Sequence, residues 1–198
     1  MNKIYCIMGK SASGKDTIYR RLLQNTDLRL KKIIPYTTRP IRAREQDGVQ
    51  YYFTNEEKMQ KLKASGKVIE CRGYNTIHGM WYYFTVDDHQ VDLLKSSYLI
   101  IGTPEAYVNI RDYYGRDLVV PIYIELDDGI RLSRALGRER KQDNPKYEEM
   151  CRRFLADQAD YSEEKLKGAG ITQRYSNEKD LMSCVETLAA VIREYGQK

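Results

Sequence analysis

The chain has 198 residues, a formal net charge of +5 and 31% charged residues. This length predicts one domain, with at most a small inserted subdomain, and is sufficient to form a hydrophobic core. The basic excess is modest and mixed with acids, so we expect no nucleic acid partner. The sequence has no apolar stretch of ~20 residues and no signal-peptide pattern, so we expect a cytoplasmic protein without membrane contact. The cysteines are far apart, and we expect them to be reduced and free of zinc: Cys6, Cys71, Cys151 and Cys184.

The chain begins with a predicted strand over residues 3–8, a glycine-containing loop and a helix that ends near residue 23. Gly9, Gly14 and Lys15 fit the spacing G-x-x-x-x-G-K of a phosphate-binding loop (P-loop), and the strand and helix provide its usual context. Glycines let successive N–H groups point at an anion, and the helix N-terminus adds positive potential. We therefore expect Lys15 to reach the outer phosphates of a nucleotide.

The residue after Lys15 departs from this motif, which has Ser or Thr there to contact Mg²⁺. Asp16 occupies the position and Thr17 follows it. Mg²⁺ prefers oxygen ligands, so we expect Asp16 or Thr17 to hold it.

Short strands and one helix alternate between residues 35 and 86. The helix, over residues 56–65, has Asn55 as its N-cap and Gly66 after its end. We predict strands at 30–34, 51–53, 68–72 and 81–86, with a loop at 73–80. This alternation differs from the rest of the chain and predicts an inserted lobe that covers a substrate.

Helices and strands alternate again after residue 86. We predict helices at 87–94, 104–113, 128–136, 146–166 and 178–195, the last capped by Asn177, and strands at 98–101, 119–124 and 171–175. The charged interruption at 137–145 has no apolar anchor, which indicates a mobile lid.

This order predicts an α/β fold of the P-loop NTPase type, a mainly parallel sheet flanked by helices. We expect a single domain over 1–198, with a core at 1–34 and 87–198, an inserted lobe that binds a nucleoside monophosphate at 35–86, and a helical lid at about 137–148.

Basic side chains form three separate clusters: Lys15; Arg39 and Arg42; and Arg134, Arg138 and Arg140 with Arg152 and Arg153. The first would hold donor phosphates, the second an acceptor phosphate, and the third would close over the transferring group. A closed lid also excludes water. This arrangement favours a small-molecule kinase over a hydrolytic switch.

Residues 37–42, T-T-R-P-I-R, are followed by Glu45 and by the D-G-V-Q-Y-Y-F run at 47–53. Together with the P-loop and with Glu70 in the strand V-I-E, this pattern resembles the guanylate kinase family. The resemblance is good over residues 1–72 and looser but collinear to the end of the chain. The spacing from the arginines to the tyrosine is its specific part.

The resemblance implies an enzyme that transfers the γ-phosphoryl group of ATP, bound with Mg²⁺, to GMP or dGMP. It implies an ATP site at Gly9, Ser11, Ala12, Ser13, Gly14, Lys15, Asp16, Thr17, Arg134 and Asn177. It implies an acceptor site at Arg39, Arg42, Tyr51, Glu70, Tyr83 and Thr85. It implies catalytic roles for Lys15, Arg42, Arg138 and Arg153. A carboxylate at Glu70 would accept the N–H groups of guanine, whereas adenine presents no such donors on that edge.

Three positions depart from the family pattern. Pro35 stands where the family has a serine that donates to the guanine oxygen. The family segment Y-G-[ST] has two matches, 78–80 and 83–85, of which we prefer the second. The family's D-x-D is replaced by residues 102–105, in which Glu105 is the expected substitute.

These departures affect base recognition and leave the phosphate-binding residues intact. A related P-loop kinase with another nucleotide or a ribose phosphate as acceptor therefore stays an alternative. An inactive module that binds a protein partner is the other alternative, although such modules tend to lose the P-loop and lid arginines. The sequence does not give the oligomeric state.

Overall fold

The computed structural model describes residues 1–43, 45–76 and 79–197. Its strands are β1 Ile4–Met8, β2 Lys31–Lys32, β3 Tyr36–Thr37, β4 Tyr52–Phe53, β5 Val68–Thr76, β6 Gly79–Val86, β7 Tyr98–Ile101, β8 Val119–Glu125 and β9 Arg174–Ser176. Its α-helices are α1 Lys15–Gln24, α2 Glu56–Ala64, α3 Pro104–Tyr114, α4 Asp128–Glu139, α5 Tyr147–Asp160, α6 Glu163–Gly168 and α7 Leu181–Gln197. A short 3₁₀-helix spans Thr26–Leu28.

Five parallel strands form the first sheet, in the order β2-β7-β1-β8-β9. The central strand β1 is buried along its whole length. Ile4 and Cys6 pack into one hydrophobic core, while Tyr5 and Ile7 pack into a second core together with residues of α1 and α7. Alternate residues of a strand point to opposite faces, so helices cover both faces of the sheet. The predicted α/β fold class is confirmed.

Four strands form a second, mixed sheet in the order β4-β3-β6-β5. Strand β3 pairs parallel with β4 and antiparallel with β6, and β6 pairs antiparallel with β5. A small core of Met59, Phe84 and Val86 packs beneath it. All four strands lie within residues 35–86, the segment predicted as an inserted lobe. The division into core, lobe and lid itself stays a prediction.

The β5–β6 hairpin is longer than the sequence predicts. The predicted loop at 73–80 is wrong for its described part, because Gly73 pairs with Tyr82 and Tyr74 with Trp81 along the two strands. A cross-strand aromatic pair such as Tyr74 and Trp81 stabilises an antiparallel ladder.

The predicted helix at 87–94 is wrong, because turns occupy this segment. The Asp88 and Asp92 carboxylates accept hydrogen bonds from the backbone N–H groups of Gln90 and Leu94, two residues further on. Such side-chain to backbone bonds compete with a helix.

The predicted helix at 146–166 is two helices in the structure. It breaks after Asp160, and the Ser162 side chain caps α6 by accepting a hydrogen bond from Lys165 N. The last strand lies at Arg174–Ser176 rather than 171–175. Helix α7 begins at Leu181, where the Asp180 carboxylate accepts a hydrogen bond from Ser183 N at 2.8 Å, so Asn177 is not its cap.

Helices α4 and α5 flank residues 140–146, within the predicted lid. The Glu139 carboxylate closes this connection by accepting a hydrogen bond from Lys146 N at 2.5 Å. Among the described helices, none has both the length and the apolar character needed to cross a membrane.

Candidate active site

A cavity of about 610 Å³ is lined by the P-loop, the second sheet and α5. Eleven of the predicted site residues line it: Gly9, Ser11, Lys15, Asp16, Arg39, Arg42, Tyr51, Glu70, Tyr83, Thr85 and Arg153. Seven others lie outside its lining: Ala12, Ser13, Gly14, Thr17, Arg134, Arg138 and Asn177. The cavity therefore brings the predicted phosphate loop and the predicted acceptor residues to one place.

The P-loop connects β1 to α1, and two of its residues have a positive φ angle. Gly14 has φ +92° and Ala12 has φ +63°, both in the left-handed region. A Cβ at Gly14 would lie 2.3 Å from Asn177 Nδ2, so this position needs glycine for space as well as for conformation.

Asn177 is buried behind this loop. Its side-chain Nδ2 donates a hydrogen bond to the Ser13 backbone carbonyl at 2.8 Å. Its backbone carbonyl accepts a hydrogen bond from Arg134 Nη2 at 3.3 Å. Asn177 thus supports the back of the P-loop directly, and Arg134 does so only through Asn177.

Arg39 is 3% exposed, and its charge is already paired. Its two terminal nitrogens donate to the Glu45 carboxylate at 2.7 and 2.5 Å, and its guanidinium lies 5.1 Å from the Tyr51 ring centroid. Although burial works to lower the pKa of Arg39, the Glu45 hydrogen bonds raise it. Arg42, by contrast, is exposed and lines the cavity wall. Arg42 is therefore the better placed of the two arginines to meet a phosphate.

Tyr51 and Tyr83 lie side by side on the cavity wall, with ring centroids 5.6 Å apart. Burial, followed by the nearby Tyr83, raises the pKa of Tyr51 to about 12. The Tyr51 hydroxyl consequently keeps its proton near pH 7 and can donate a hydrogen bond to an anion.

Glu70 and Thr85 face each other across β5 and β6. The Thr85 hydroxyl donates to Glu70 Oε1 at 2.7 Å. Burial raises the pKa of the Glu70 carboxyl to about 6; the Thr85 hydrogen bond opposes this rise, and the charge of Glu105 adds to it. This pairing supports residues 83–85 as the match to the family's Y-G-[ST]. Of the other candidate, His78 lies outside the described residues.

The predicted transfer arginines are not all at the cavity. Arg153 lines it, and its Nη2 donates to the Ser11 hydroxyl at 3.4 Å. Arg152 also lines it but pairs with Glu149 at 2.7 Å. Arg138 and Arg140 are exposed near the end of α4, away from the lining.

Several lining residues were missed by sequence reasoning. Arg72 forms an ion pair with Asp160 of α5 and lies 5.0 Å from the Tyr74 ring centroid, and Trp81 faces Tyr74 across the hairpin. Glu70, Arg72 and Tyr74 alternate along β5, so extending the predicted strand beyond residue 72 would have placed them on one face.

The described residues contain no cluster of three or more His, Cys, Asp or Glu side chains suited to a metal ion. The Asp16 side chain is 72% exposed, lies 3.9 Å from Lys15 Nζ and lines the cavity. Mg²⁺ commonly binds through one or two carboxylates together with substrate phosphates. Asp16 fits that requirement, whereas Thr17 lies outside the lining and its hydroxyl accepts a hydrogen bond from Arg20.

The chain is similar to proteins of one family. Residues 1–89 match the family model described as guanylate kinase. A guanylate kinase of Porphyromonas gingivalis is 27% identical over 198 residues, covering 98% of each chain. A guanylate kinase of Schizosaccharomyces pombe is 41% identical over 64 residues, 32% of each chain. The crystal structure of guanylate kinase from Anaplasma phagocytophilum superposes with a TM-score of 0.64 at 21% identity, covering 100% of this chain and 87% of that one, which shows a shared fold.

Proposed function

We propose that this chain is a guanylate kinase, which transfers the γ-phosphoryl group of ATP to GMP or dGMP and gives ADP and GDP or dGDP. One observation carries the proposal. A single cavity is lined by Lys15 of the P-loop, by Arg42 and Tyr51, and by Glu70. These residue types suit a donor triphosphate, an acceptor phosphate and a guanine base respectively.

We assign the acceptor phosphate to Arg42 and Tyr51, with Arg39 holding the wall behind them. Arg42 supplies a guanidinium fork and Tyr51 a protonated hydroxyl, both of which suit a dianionic phosphate. Arg39, paired with Glu45 and lying 5.3 Å from the Phe53 ring centroid, fixes the Tyr51 side of the cavity.

We assign the base to Glu70, with Tyr83 and Thr85 beside it. The ionised carboxylate accepts hydrogen bonds from the guanine N1–H and 2-amino groups. The Thr85 hydroxyl fixes the orientation of the carboxylate. Adenine presents an acceptor at N1, so it leaves a buried carboxylate unpaired, which costs affinity.

The transfer itself needs positioning and charge stabilisation rather than a general base, because the acceptor phosphate is already largely ionised near pH 7. An oxygen of that phosphate forms a bond to the γ-phosphorus, the bond from this phosphorus to the β–γ bridging oxygen breaks, and ADP leaves. Lys15 and the P-loop amides hold the donor phosphates, and Arg153 lies beside the loop to stabilise the transferring group. Asp16 would hold Mg²⁺ at this site, and the bound ion would supply further charge neutralisation.

The domain assignment belongs to the same proposal. The second sheet forms the acceptor lobe at 35–86, and the connection between α4 and α5 forms the lid at about 137–148. Exposed Arg138 would reach the transferring group when the lid closes, which also excludes water. The reaction uses ATP and a free nucleotide, so the proposed location is the cytoplasm.

A different acceptor is the second candidate. Pro35 lines the cavity, and because proline has no N–H its backbone cannot donate to the guanine oxygen. A rebuilt base pocket around Pro35 would favour another nucleotide.

A coupled ADP-release assay with Mg²⁺ and ATP against GMP, dGMP, AMP, UMP and CMP tests the proposal. We expect turnover with GMP and dGMP alone. Preference for another nucleotide would support the second candidate, and absence of turnover with every nucleotide would contradict kinase activity and favour a binding module.

Two variants test the site assignment in the same assay. Lys15→Ala should reduce turnover to near background. Arg42→Ala should raise KM for GMP and lower kcat, whereas Lys61→Ala, which changes an exposed lysine on α2, should match the wild type. Unchanged kinetics in Arg42→Ala would remove Arg42 from the acceptor site.

A further inference from the structure

A cluster of charged and polar side chains lies behind the P-loop and joins it to α4 and α5. Its members are Lys10, Asp128, Arg131, Asp157 and Gln158. We propose that Arg131 is a positioning residue, which anchors Ser11 of the P-loop to both helices and so holds Arg153 at the phosphate site. This inference rests on the proposed function, because the position of Arg153 matters for the proposed transfer of the phosphoryl group.

Arg131 is the centre of the cluster. Its side chain is 1% exposed, and Nη1 donates to the Ser11 carbonyl at 2.9 Å. Nε and Nη2 both donate to Asp128 Oδ1, at 3.0 and 2.6 Å. The guanidinium also lies 4.8 Å from the centroid of the Phe154 ring of α5. A single planar side chain therefore contacts the loop, α4 and α5.

The other polar groups of Ser11 are held from α5. Its backbone N–H donates to Asp157 Oδ2 at 2.7 Å, and Asp157 lies 3.5 Å from Arg131 Nη1. Its hydroxyl accepts the hydrogen bond from Arg153. Ser11 is thus held through its N–H, carbonyl and hydroxyl.

Lys10 closes the cluster from the loop side. Its ammonium donates to Gln158 Oε1 at 2.6 Å and to Asp128 Oδ1 at 3.3 Å, while the Gln158 amide nitrogen donates to Asp128 Oδ2. Although burial works to raise the pKa of the Asp128 carboxyl, the hydrogen bonds from Gln158 and Arg131 and the nearby charges lower it to about 2. The carboxylate therefore stays ionised over the pH range of an activity assay, and the cluster keeps its arrangement.

Stability alone is a weak explanation for such a cluster, because a packed apolar group of similar volume often stabilises a fold as well. What the cluster provides is fixed geometry. Arg153 and Asp157 are one helical turn apart on α5, so an Asp157 fixed to the loop keeps Arg153 beside it. Arg138 lies almost two turns beyond Arg131 on α4, outside this restraint. We infer that Arg153 is in place before the lid closes and that Arg138 arrives with closure.

The test compares Arg131→Met, Arg131→Lys and Asp157→Asn with the wild type, measuring kcat with ATP and GMP and the Kd of Mg²⁺-ATP by calorimetry. Because a displacement of about 1 Å can reduce a rate by about 100-fold, we expect kcat of Arg131→Met to fall by about 10- to 100-fold. The Kd should stay within about threefold of the wild type, since the P-loop amides and Lys15 remain. Arg131→Lys should recover part of the loss, because an ammonium can hold Ser11 or Asp128 but not both. Asp157→Asn should also lower kcat, to a smaller extent.

Arg174→Met is the matched control. Arg174 is another arginine with two carboxylate partners, Glu125 and Glu163, but it lies outside the cavity lining. It should lose thermal stability and keep the wild-type kcat. If Arg131→Met does not fold, Arg131→Lys and Asp157→Asn decide the outcome.

Three results would overturn the inference: variants at Arg131 and Asp157 with lowered Tm but wild-type kcat, a Kd that rises in step with the fall in kcat, or a loss of kcat in the Arg174 control as large as in Arg131→Met. A wild type that phosphorylates another nucleotide would contradict the proposed function alone, and the same comparison with that nucleotide would still decide the role of Arg131. Absence of turnover with every nucleotide would overturn both.

Discussion

Glu70 shows at the scale of one residue how a proposed binding role and stability can oppose each other. Its carboxyl has a pKa of about 6 in the folded chain, above its ordinary value of 4.5. At pH 7 the folded state holds an ionised, mostly buried carboxylate, which disfavours folding by about 2 kcal/mol relative to an unperturbed group. This cost is absent below about pH 4.5, where folded and unfolded states are both protonated.

Replacing Glu70 by Gln should therefore raise the Tm at pH 7.5 and abolish the preference for GMP. The amide oxygen can still accept the Thr85 hydrogen bond, but the amide group cannot accept both guanine donors. In the wild type, kcat/KM for GMP should fall as the pH drops through about 6, because protonation removes the acceptor. A stopped assay over that range with both proteins checks this. The same acid limb in Glu70→Gln as in the wild type would contradict the assignment.

Ala12 is strained where the P-loop turns. Its φ of +63° places a residue with a Cβ in the left-handed region. Such a conformation costs a non-glycine residue about 1 kcal/mol in the folded state. Replacement by glycine removes this cost, but part of the gain in stability is lost because glycine has more conformational freedom in the unfolded chain.

We expect Ala12→Gly to raise the Tm by up to a few degrees and to leave KM for ATP unchanged, since the loop conformation stays the same. The matched change Ala190→Gly, on the exposed face of α7, should instead lower stability by about 1 kcal/mol. Thermal melts of the two variants check the prediction, which fails if both variants lose stability equally.

The residues that sequence reasoning identified and those it missed differ in one physical respect. Lys15, Arg42 and Glu70 lie within local motifs whose spacing is visible along the chain. Asp157 and Arg131 act on the P-loop from more than one hundred residues away, and only the packing of α4 and α5 brings them there. Residues that support a loop from a distant element leave no local signal.

At the scale of one element, the β5–β6 hairpin is longer than the sequence predicts, and this difference changes the lining of the cavity. Its additional residue pairs place Tyr74 and Trp81 on the cavity wall, which Arg72 also lines. Because Asp160 of α5 pairs with Arg72, the hairpin connects the second sheet to the helix that carries Arg153.

Trp81 makes this hairpin directly observable, because it is the single tryptophan of the chain. Titration with GMP should produce a saturable change in tryptophan emission, since Trp81 lines the cavity to which we assign the nucleotide. Trp81→Phe should lose the signal and keep activity. An emission that does not respond to GMP at concentrations that saturate turnover would place the acceptor elsewhere.

Other elements follow from the sequence to different degrees. Strand β1 and helix α2, with its Asn55 cap, were predicted because apolar periodicity and capping are local signals. Residues 87–94 were predicted as a helix because their acidic start resembles an N-cap, yet Asp88 instead accepts a hydrogen bond from the hydroxyl of Tyr36 in the second sheet. That tertiary contact outweighs a short helix with weak propensity.

At the scale of the whole molecule, the cavity is a space between the two sheets that α5 helps to enclose. Ligands that contact both sheets stabilise the folded chain by mass action. A ligand at about 100 times its Kd contributes about 2.7 kcal/mol, which corresponds to a Tm increase of about 5 to 11 °C for a chain of this size.

We expect Mg²⁺-ADP and GMP each to raise the Tm, with the two together exceeding either alone. Lys15→Ala should lose the increase caused by ADP and keep that caused by GMP, because the sites proposed for the two nucleotides lie at different ends of the cavity. Thermal shift measurements with the four ligand combinations check this. Loss of both increases in Lys15→Ala would mean that the nucleotides share one site.

The most direct measurement follows the phosphoryl group itself. ATP labelled on its γ-phosphorus is incubated with GMP, Mg²⁺ and the protein, and the labelled products are separated. We expect the label to appear in GDP, at its β-phosphorus, in amounts equal to the ADP formed. Label released as inorganic phosphate, or retained in ATP while GMP stays unchanged, would contradict it.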